Sequence, residues 1–126
     1  AAAGAKRVVP LQVSGAFHSP LMQPAAEGLA EYIDSLSLHE PSIPVIGNIR
    51  AEPLTTAGMV KAELLDQLLN PVQWVRTIEY ISGKGVPTFI EIGPGKVLTG
   101  LIKRINPEAR TINIGDLESI RILASE

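Results

Sequence analysis

The stretch GAFHSPLM at residues 15–22 places a single histidine between an aromatic residue and the start of a predicted helix. His18 is the strongest candidate for acid–base chemistry, because imidazole is the side chain that ordinarily gains or loses its charge near neutral pH. It follows a predicted strand and precedes a helix, the kind of position at which open α/β sheets place their binding sites. A capping or packed histidine fits the same position, so the residues alone leave both interpretations open.

The other residue types that acid–base or metal chemistry requires are scarce. His39 lies in the polar stretch SLHEPS and is expected to be a solvated loop residue. With two histidines so spaced and no cysteine, we expect no metal site. A histidine base also needs a nucleophile, yet the sequence has no G-x-S-x-G and no serine in a predicted strand-to-helix elbow. The chain therefore contains a base without an accompanying nucleophile.

The turn GPGK at residues 93–96 is a second candidate site, because it joins the apolar run TFIEI to the predicted helix VLTGLIKRI. Backbone N–H groups at a helix N-terminus attract anions. The spacing matches neither G-x-G-x-x-G nor the P-loop, and Pro94 has no N–H to offer. A turn that merely leads a strand into a packed helix explains the same residues, and anion binding remains the alternative.

The composition indicates a single globular domain over residues 1–126, with 45% hydrophobic and 19% charged residues. A formal net charge of -2 and scattered basic residues argue against nucleic acid as a partner. The absence of cysteine fits a reducing compartment. No apolar run approaches the roughly 20 residues of a membrane span, and the start AAAGAKR lacks the apolar segment of a secretory signal. We therefore expect a soluble, cytoplasmic protein without a membrane partner.

Short β-branched runs alternate with segments of helical period, which is the pattern of an α/β domain. Strands are predicted at residues 6–13, 43–49, 88–92 and 110–114, and the apolar run 88–92 is expected to be covered on both faces. Helices are predicted from Ser19 and Pro20, at 59–69, from the capping pair Asn70 and Pro71, at 97–105 and from Asp116. Pro24 predicts an irregular start for the first helix.

Four blocks of the sequence together resemble one enzyme family. They are VPLQVSGAFHSPLMQPAAEGLAEYI, PVIGNI, LLNPVQWVRTIEYI and IEIGPGKVLTGLIKRI, and they cover nearly all of the chain in the family's order. The sequence is similar to the C-terminal portion of the malonyl-CoA:acyl-carrier-protein transacylases. The resemblance implies transfer of malonyl from coenzyme A to the carrier protein in fatty acid biosynthesis, with the coenzyme A thioester as substrate and no cofactor.

The resemblance also implies roles for individual residues. His18 matches the base of the family's Ser-His pair, which forms an acyl-enzyme and then loads the phosphopantetheine thiol of the carrier. Gln67, in QLLNP, matches the residue whose backbone carbonyl orients that histidine in place of an aspartate. The alternative is that Gln67 is an ordinary exposed helix residue.

Two further assignments concern specificity. Phe17, directly before the histidine, is expected to fill the space that a methylmalonyl methyl group would need, or else only to pack the loop. Lys6 and Arg7 are expected to contact the acidic carrier protein, or else to be ordinary solvated residues.

The family's serine, its malonate-binding arginine and its small ferredoxin-like lobe lie upstream of the first residue of this sequence. The resemblance therefore implies an α/β fragment of the large, hydrolase-like lobe, with a mostly parallel sheet flanked by helices, inactive on its own. Two alternatives remain open. One is a non-catalytic α/β binding module that uses the GPGK turn, and the other is the acyltransferase domain of a polyketide synthase, which shares the block AFHS.

Overall fold

The protein alternates helices with short strands, as the sequence predicts for an α/β chain. A computed structural model describes residues 3–4, 6–10 and 12–124. In chain order the elements are α1 (Gln23–Asp34), β1 (Val45–Ile46), β2 (Pro53–Leu54), α2 (Ala57–Asp66), α3 (Trp74–Gly83), β3 (Thr88–Ile92), α4 (Val97–Ile105), β4 (Arg110–Ile114) and α5 (Leu117–Leu123). β1 pairs with β2 antiparallel, and β3 pairs with β4 parallel. The α/β class with a parallel sheet and flanking helices is confirmed.

The first helix begins irregularly, at two closely spaced prolines. Ser19 has an extended backbone (φ −141°, ψ 161°) and precedes a short 3-10 turn over Pro20–Met22. α1 then starts at Gln23 with Pro24 in its first turn, where the missing N–H has no intrahelical partner to lose. The irregular helix start is therefore confirmed, but Ser19 precedes only the 3-10 turn and makes no side-chain capping hydrogen bond, and the N-cap residue of α1 is Met22.

The connection between α2 and α3 differs from the prediction. α2 ends at Asp66, and α3 begins only at Trp74, with Gln73 at its N-cap position. The prediction that Asn70 and Pro71 cap α3 is therefore wrong. The Asn70 side chain instead donates a hydrogen bond of 2.8 Å to the Asp66 carbonyl, so it completes the end of α2.

The C-terminal part of the fold is a strand–helix–strand unit that matches the predicted segments in full. β3 and β4 pair in register from Thr88 opposite Arg110 to Ile92 opposite Ile114. α4 is the crossover between them, because parallel strands need a long connection rather than a tight turn. α5 follows β4, as predicted from Asp116.

The core lies between α3, α4 and the start of β4. Ile78, Ile102 and Ala109 are almost fully buried, at 2%, 5% and 2% exposure, and Trp74 and Phe89 pack against them. Burying an isoleucine side chain stabilises a fold by roughly 1.5 to 3 kcal/mol. This cluster holds α3 and α4 against the parallel sheet and so fixes the C-terminal half of the chain.

Two predictions about strands are wrong. Residues 6–10 and 12–13 are not part of any strand, and Val8, Val9 and Val13 are between 55% and 71% exposed. Within the described residues this segment has no ladder partner, which a strand requires whatever its β-branched content. β3 is also not covered on both faces, because Ile90 and Ile92 are 49% and 80% exposed.

None of the helices in the described part of the chain is long and apolar enough to cross a membrane.

Candidate active site around His18

His18 lies on an exposed loop and has an unusual backbone conformation. Its φ is +63°, in the left-handed region that few residues other than glycine adopt. Two hydrogen bonds to consecutive carbonyls hold it there. The backbone N–H of His18 donates to the Leu68 carbonyl at 2.9 Å, and Nδ1 of the ring lies 2.7 Å from the Gln67 carbonyl oxygen. Left-handed backbone held by such contacts is a recurring feature of functional sites.

The contact with Gln67 determines which ring nitrogen carries the proton in neutral His18. A carbonyl oxygen can only accept a hydrogen bond, so Nδ1 must be the donor. Nε2 is then unprotonated and able to accept a proton from another group. His18 is exposed, so Nε2 is not enclosed by the described part of the fold. The geometry therefore orients Nδ1 of His18 and leaves Nε2 able to accept a proton.

The loop that carries His18 is folded by short local contacts. The Ser19 hydroxyl donates to the Ala16 carbonyl at 2.7 Å, and the Ser19 carbonyl accepts from the Met22 N–H at 3.1 Å. The Phe17 ring packs over Gly15, where an added Cβ would lie only 2.9 Å from the ring. These contacts shape the turn, whereas the two bonds to Gln67 and Leu68 fix its position against α2.

The two carbonyls that hold His18 come from the C-terminal end of α2. The last four carbonyls of a helix have no intrahelical partner, and Gln67 is the C-cap residue of α2. Its own N–H still bonds to the Glu63 carbonyl at 3.0 Å, so its position follows from the helix. The end of a helix also carries partial negative charge. His18 thus faces acceptor groups that are available because the helix ends there.

The contacts of Phe17, Lys6 and Arg7 in the structure do not test the roles predicted for them in substrate selection and carrier binding. Phe17 is adjacent to His18 and is 55% exposed. Lys6 and Arg7 are exposed, and within the described residues no ion pair or hydrogen bond joins either of them to His18 or Gln67. Their proposed functions in substrate selection and carrier binding therefore remain predictions.

The GPGK turn is formed as predicted, but its helix N-terminus already has an anionic partner. Gly93 and Gly95 adopt φ values of +136° and +92°, which glycine alone accommodates readily. The carboxylate of Glu91 accepts hydrogen bonds from the backbone N–H groups of Leu98 and Thr99, at 3.1 and 2.8 Å. A side chain thus occupies the place that a phosphate would take. This arrangement disfavours the anion-binding module.

The second histidine is remote from this chemistry. His39 is exposed in the loop that follows α1. Among the residues that the structure describes, no group of three or more histidine, aspartate or glutamate side chains is arranged to hold a metal ion.

A group of residues beside the site was not predicted from the sequence. Glu63 of α2 accepts hydrogen bonds from the backbone N–H groups of Asn48 and Ile49, with 3.0 Å to Ile49. Asn48 Nδ2 in turn donates to Gln67 Oε1 at 3.3 Å. The signal available in the sequence was the i, i+4 spacing of Glu63 and Gln67, which places both side chains on one face of α2.

Comparison with known proteins gives relatives along almost the whole chain. No protein-family model matches it. The malonyl CoA-acyl carrier protein transacylase of Bacillus subtilis (strain 168) is 47% identical over 119 residues, which are 94% of this chain and 38% of that protein. The enzyme of the same name from Staphylococcus aureus (strain COL) is 43% identical over 118 residues, again 94% of this chain and 38% of that protein.

Solved structures agree with this relationship. An acyl carrier protein S-malonyltransferase from Vibrio cholerae O1 biovar eltor superposes with a TM-score of 0.90 at 43% identity, over 97% of this chain and 40% of that one. A malonyl-transacylase in complex with a type II PKS acyl-carrier protein superposes with a TM-score of 0.91 at 41% identity, over 99% of this chain and 41% of that one. The chain thus spans about two fifths of the length of its relatives. In sequence and in fold it is a homologue of the C-terminal portion of the malonyl CoA-acyl carrier protein transacylases.

Proposed function

We propose that the protein containing this chain transfers malonyl from coenzyme A to an acyl carrier protein in fatty acid biosynthesis. One contact in the structure supports this proposal independently of the similarity to known proteins. Nδ1 of His18 lies 2.7 Å from the Gln67 carbonyl, which leaves Nε2 as a proton acceptor. This contact supports the roles that the resemblance implies for His18 and Gln67 in a Ser-His pair without an aspartate.

In the first half-reaction His18 acts as a general base toward a serine outside this chain. Nε2 takes the hydroxyl proton while the serine oxygen attacks the thioester carbonyl of malonyl-CoA. The C–S bond then breaks, and the imidazolium returns its proton to the coenzyme A sulfur. The products are a malonyl ester of the serine and free coenzyme A.

The second half-reaction repeats these steps in the opposite direction. Nε2 takes the proton of the carrier's phosphopantetheine thiol while the sulfur attacks the ester carbonyl. The C–O bond breaks, and the imidazolium returns the proton to the serine oxygen. The products are malonyl-carrier and free enzyme. Each half-reaction exchanges one acyl acceptor for another without a net redox change, so the proposed chemistry requires no resident cofactor.

The Gln67 carbonyl performs the orienting part of what an aspartate does in other triads. It holds Nδ1–H and so keeps the tautomer that presents a free Nε2. It also places the partly negative end of α2 beside a ring that becomes positively charged during each half-reaction. A neutral carbonyl therefore orients His18 without adding a full charge to the site.

The proposal is tested by covalent labelling. A protein of the relatives' length that contains this chain should gain one malonyl group when incubated with malonyl-CoA, as measured by intact-mass spectrometry. The isolated 126-residue chain should gain none, because the proposed serine lies outside it. Malonylation of a serine within the isolated chain would contradict the proposal.

A carrier of polyketide synthesis is the second candidate partner. The observation in its favour is that one matched structure is a malonyl-transacylase bound to a type II PKS acyl-carrier protein. Comparing kcat/KM for a fatty-acid carrier and a polyketide carrier separates the two pathways.

We propose the cytoplasm as the compartment, in keeping with a chain that has no cysteine.

A further inference from the structure

Glu63 reaches from α2 into the loop that follows β1. One oxygen of its carboxylate, Oε1, accepts hydrogen bonds from two successive backbone N–H groups, those of Asn48 and Ile49. Bonds between backbone N–H groups and an ionised acceptor are stronger than those between neutral partners. The side chain is half-buried, so these bonds are partly shielded from water. Glu63 therefore fixes residues 48–49 against the surface of α2.

Gly47 leaves the space that the Glu63 carboxylate fills. A Cβ added at Gly47 would lie 2.7 Å from Glu63 Oε2 and 2.9 Å from its carboxyl carbon, which is closer than real Cβ contacts allow. The φ of Gly47 is not in the left-handed region, so an alanine would not strain the backbone itself. Gly47→Ala would instead displace the carboxylate, and this provides a second way to disturb the same contact.

Asn48 connects this loop to both ends of the segment that holds His18. At one end its side chain donates to Gln67 Oε1 at 3.3 Å, and at the other end its carbonyl accepts from the Gln73 N–H at 2.7 Å. The carbonyls of Gln67 and Leu68, which accept hydrogen bonds from His18, lie at the first of these ends. Asn48 thus bonds to both ends of the 67–73 segment, and the Glu63 carboxylate accepts a hydrogen bond from the Asn48 N–H.

We propose that Glu63 is a positioning residue for His18, acting through Asn48 and the 67–73 segment. His18 is exposed and depends on this segment for its position. If the 47–49 loop moves, the hydrogen bonds of Asn48 to the Gln67 side chain and to the Gln73 N–H are lost. The Gln67 carbonyl, which selects the ring tautomer, then shifts with its segment. The effect on rate rests on the proposed function, whereas the effect on the tautomer of His18 does not.

The expected effect on catalysis is a loss of rate rather than of binding. Misplacing a reacting group by about 1 Å can lower a rate on the order of 10²-fold. The Glu63 carboxylate bonds to the 47–49 loop, and the proposal gives it no contact with the substrate, so its loss should lower kcat and leave KM for malonyl-CoA within about twofold.

Four variants separate this proposal from a general loss of stability, and all are made in a protein of the relatives' length that contains this chain. Glu63→Ala removes the acceptor, and Glu63→Gln keeps an Oε1 that can accept the same two N–H bonds. Gly47→Ala keeps the carboxylate and displaces it. Gly28→Ala is the matched control, because Gly28 lies in α1 and a Cβ there would meet nothing within 4 Å.

The decisive readout is the ¹⁵N NMR spectrum of the labelled imidazole rings, since the shifts of Nδ1 and Nε2 report which nitrogen carries the proton. Glu63→Ala and Gly47→Ala should each lower the fraction of the Nδ1–H tautomer of His18 and lower kcat about tenfold or more. Glu63→Gln and Gly28→Ala should resemble the parent protein, and the signals of His39 should not change. Combining Glu63→Ala with Gly47→Ala should add little, because both act on one contact.

A folded Glu63→Ala variant with the parent tautomer and parent kcat would overturn the proposal. Full additivity of the two substitutions would also overturn it. If Glu63→Ala does not fold, the tautomer of His18 and kcat in Gly47→Ala decide the question. If the parent protein transfers no malonyl group, the proposed function fails, but the tautomer comparison still decides the role of Glu63.

Discussion

The Thr99 hydroxyl and the Glu91 carboxylate join the first turn of α4 to the strand that precedes it. Thr99 Oγ1 donates to Glu91 Oε2 at 2.6 Å, and the Thr99 N–H donates to the same oxygen at 2.8 Å. A carboxylate at this place satisfies N–H groups that a helix leaves without partners and faces the positive end of its dipole. Glu91 therefore connects β3 to α4 across the glycine turn.

This contact predicts an acid-sensitive stability. The hydrogen bond from the Thr99 side chain, followed by that from its backbone N–H, lowers the pKa of Glu91 below the ordinary value of 4.5. A carboxyl with a lowered folded-state pKa contributes stability above its unfolded pKa and loses it as the pH falls through the folded one. Glu91→Gln should therefore lower Tm at pH 7 and flatten the decline of Tm below about pH 4.5.

Thermal unfolding followed by circular dichroism between pH 3 and 7 measures this difference. Glu40→Gln, at an exposed loop position, is the control and should leave the profile close to that of the parent protein. A parallel shift of the whole curve in Glu91→Gln, with no change of slope in acid, would contradict the assignment.

Replacing His18 should remove most of the acylation rate. In a protein of the relatives' length that contains this chain, His18→Ala should slow malonyl-enzyme formation by a factor on the order of 10² to 10⁴, the usual contribution of a general base. His39→Ala is the internal control and should have almost no effect, because His39 lies on an exposed loop. Quenched-flow mass spectrometry measures both rates. Equal rates for the two variants would eliminate His18 as the base.

Replacing the side chain of Gln67 should have a small effect, because its carbonyl is the atom that contacts His18. Gln67→Ala keeps the carbonyl and loses only the 3.3 Å hydrogen bond from Asn48, worth about 1 kcal/mol. We expect kcat to fall less than tenfold and the Nδ1–H tautomer to persist. Steady-state kinetics and ¹⁵N NMR measure the two quantities. A loss as large as that of His18→Ala would mean that the side chain, not the carbonyl, has the orienting role.

Phe17 is predicted to limit the size of the acyl group. Phe17→Ser should raise kcat/KM for methylmalonyl-CoA relative to malonyl-CoA, with a change in discrimination of roughly 1 to 3 kcal/mol for one methyl group. The ratio of the two kcat/KM values, measured with both thioesters in competition, is the test. If the ratio stays constant, Phe17 only packs over Gly15.

Lys6 and Arg7 are predicted to attract the acidic carrier. Reversing both charges, with Lys6→Glu and Arg7→Glu, should raise KM for the carrier and weaken its dependence on salt, because exposed charges act mainly on association. KM for malonyl-CoA should hardly change. Initial rates at several salt concentrations give both constants. The same double reversal at Lys103 and Arg104, exposed in the last turn of α4, controls for net charge. Equal effects at the two places would argue against a specific contact.

Local sequence signals predicted the C-terminal half of the fold well. The segments 88–92, 97–105 and 110–114 match β3, α4 and β4, and Asp116 is the N-cap of α5. Its side chain accepts from the Ser119 N–H at 2.8 Å, a contact between near neighbours that composition and spacing can reveal. Where partners lie close in the chain, the residues themselves are sufficient for a prediction.

Predictions that depended on distant partners were less successful. The β-branched run 6–13 predicted a strand, but pairing, not propensity, makes a strand, and the described part of this run is unpaired and exposed. At the site, the residue type and position of His18 indicated acid–base chemistry. The 15-residue separation between Asn48 and Glu63 kept their contact out of reach of any local pattern.

Because the partner of the His18 ring is a main-chain oxygen, no point substitution can delete it. Every amino acid brings a carbonyl to position 67, so evolutionary drift in the side chain there leaves the acceptor in place. Changes that alter the path of the backbone are different: a proline at position 67 removes the N–H that bonds to Glu63, and an insertion before Pro71 moves the end of α2. Purifying selection on this feature is therefore expected to act on the geometry and length of the segment 67–71 more strongly than on the identity of residue 67.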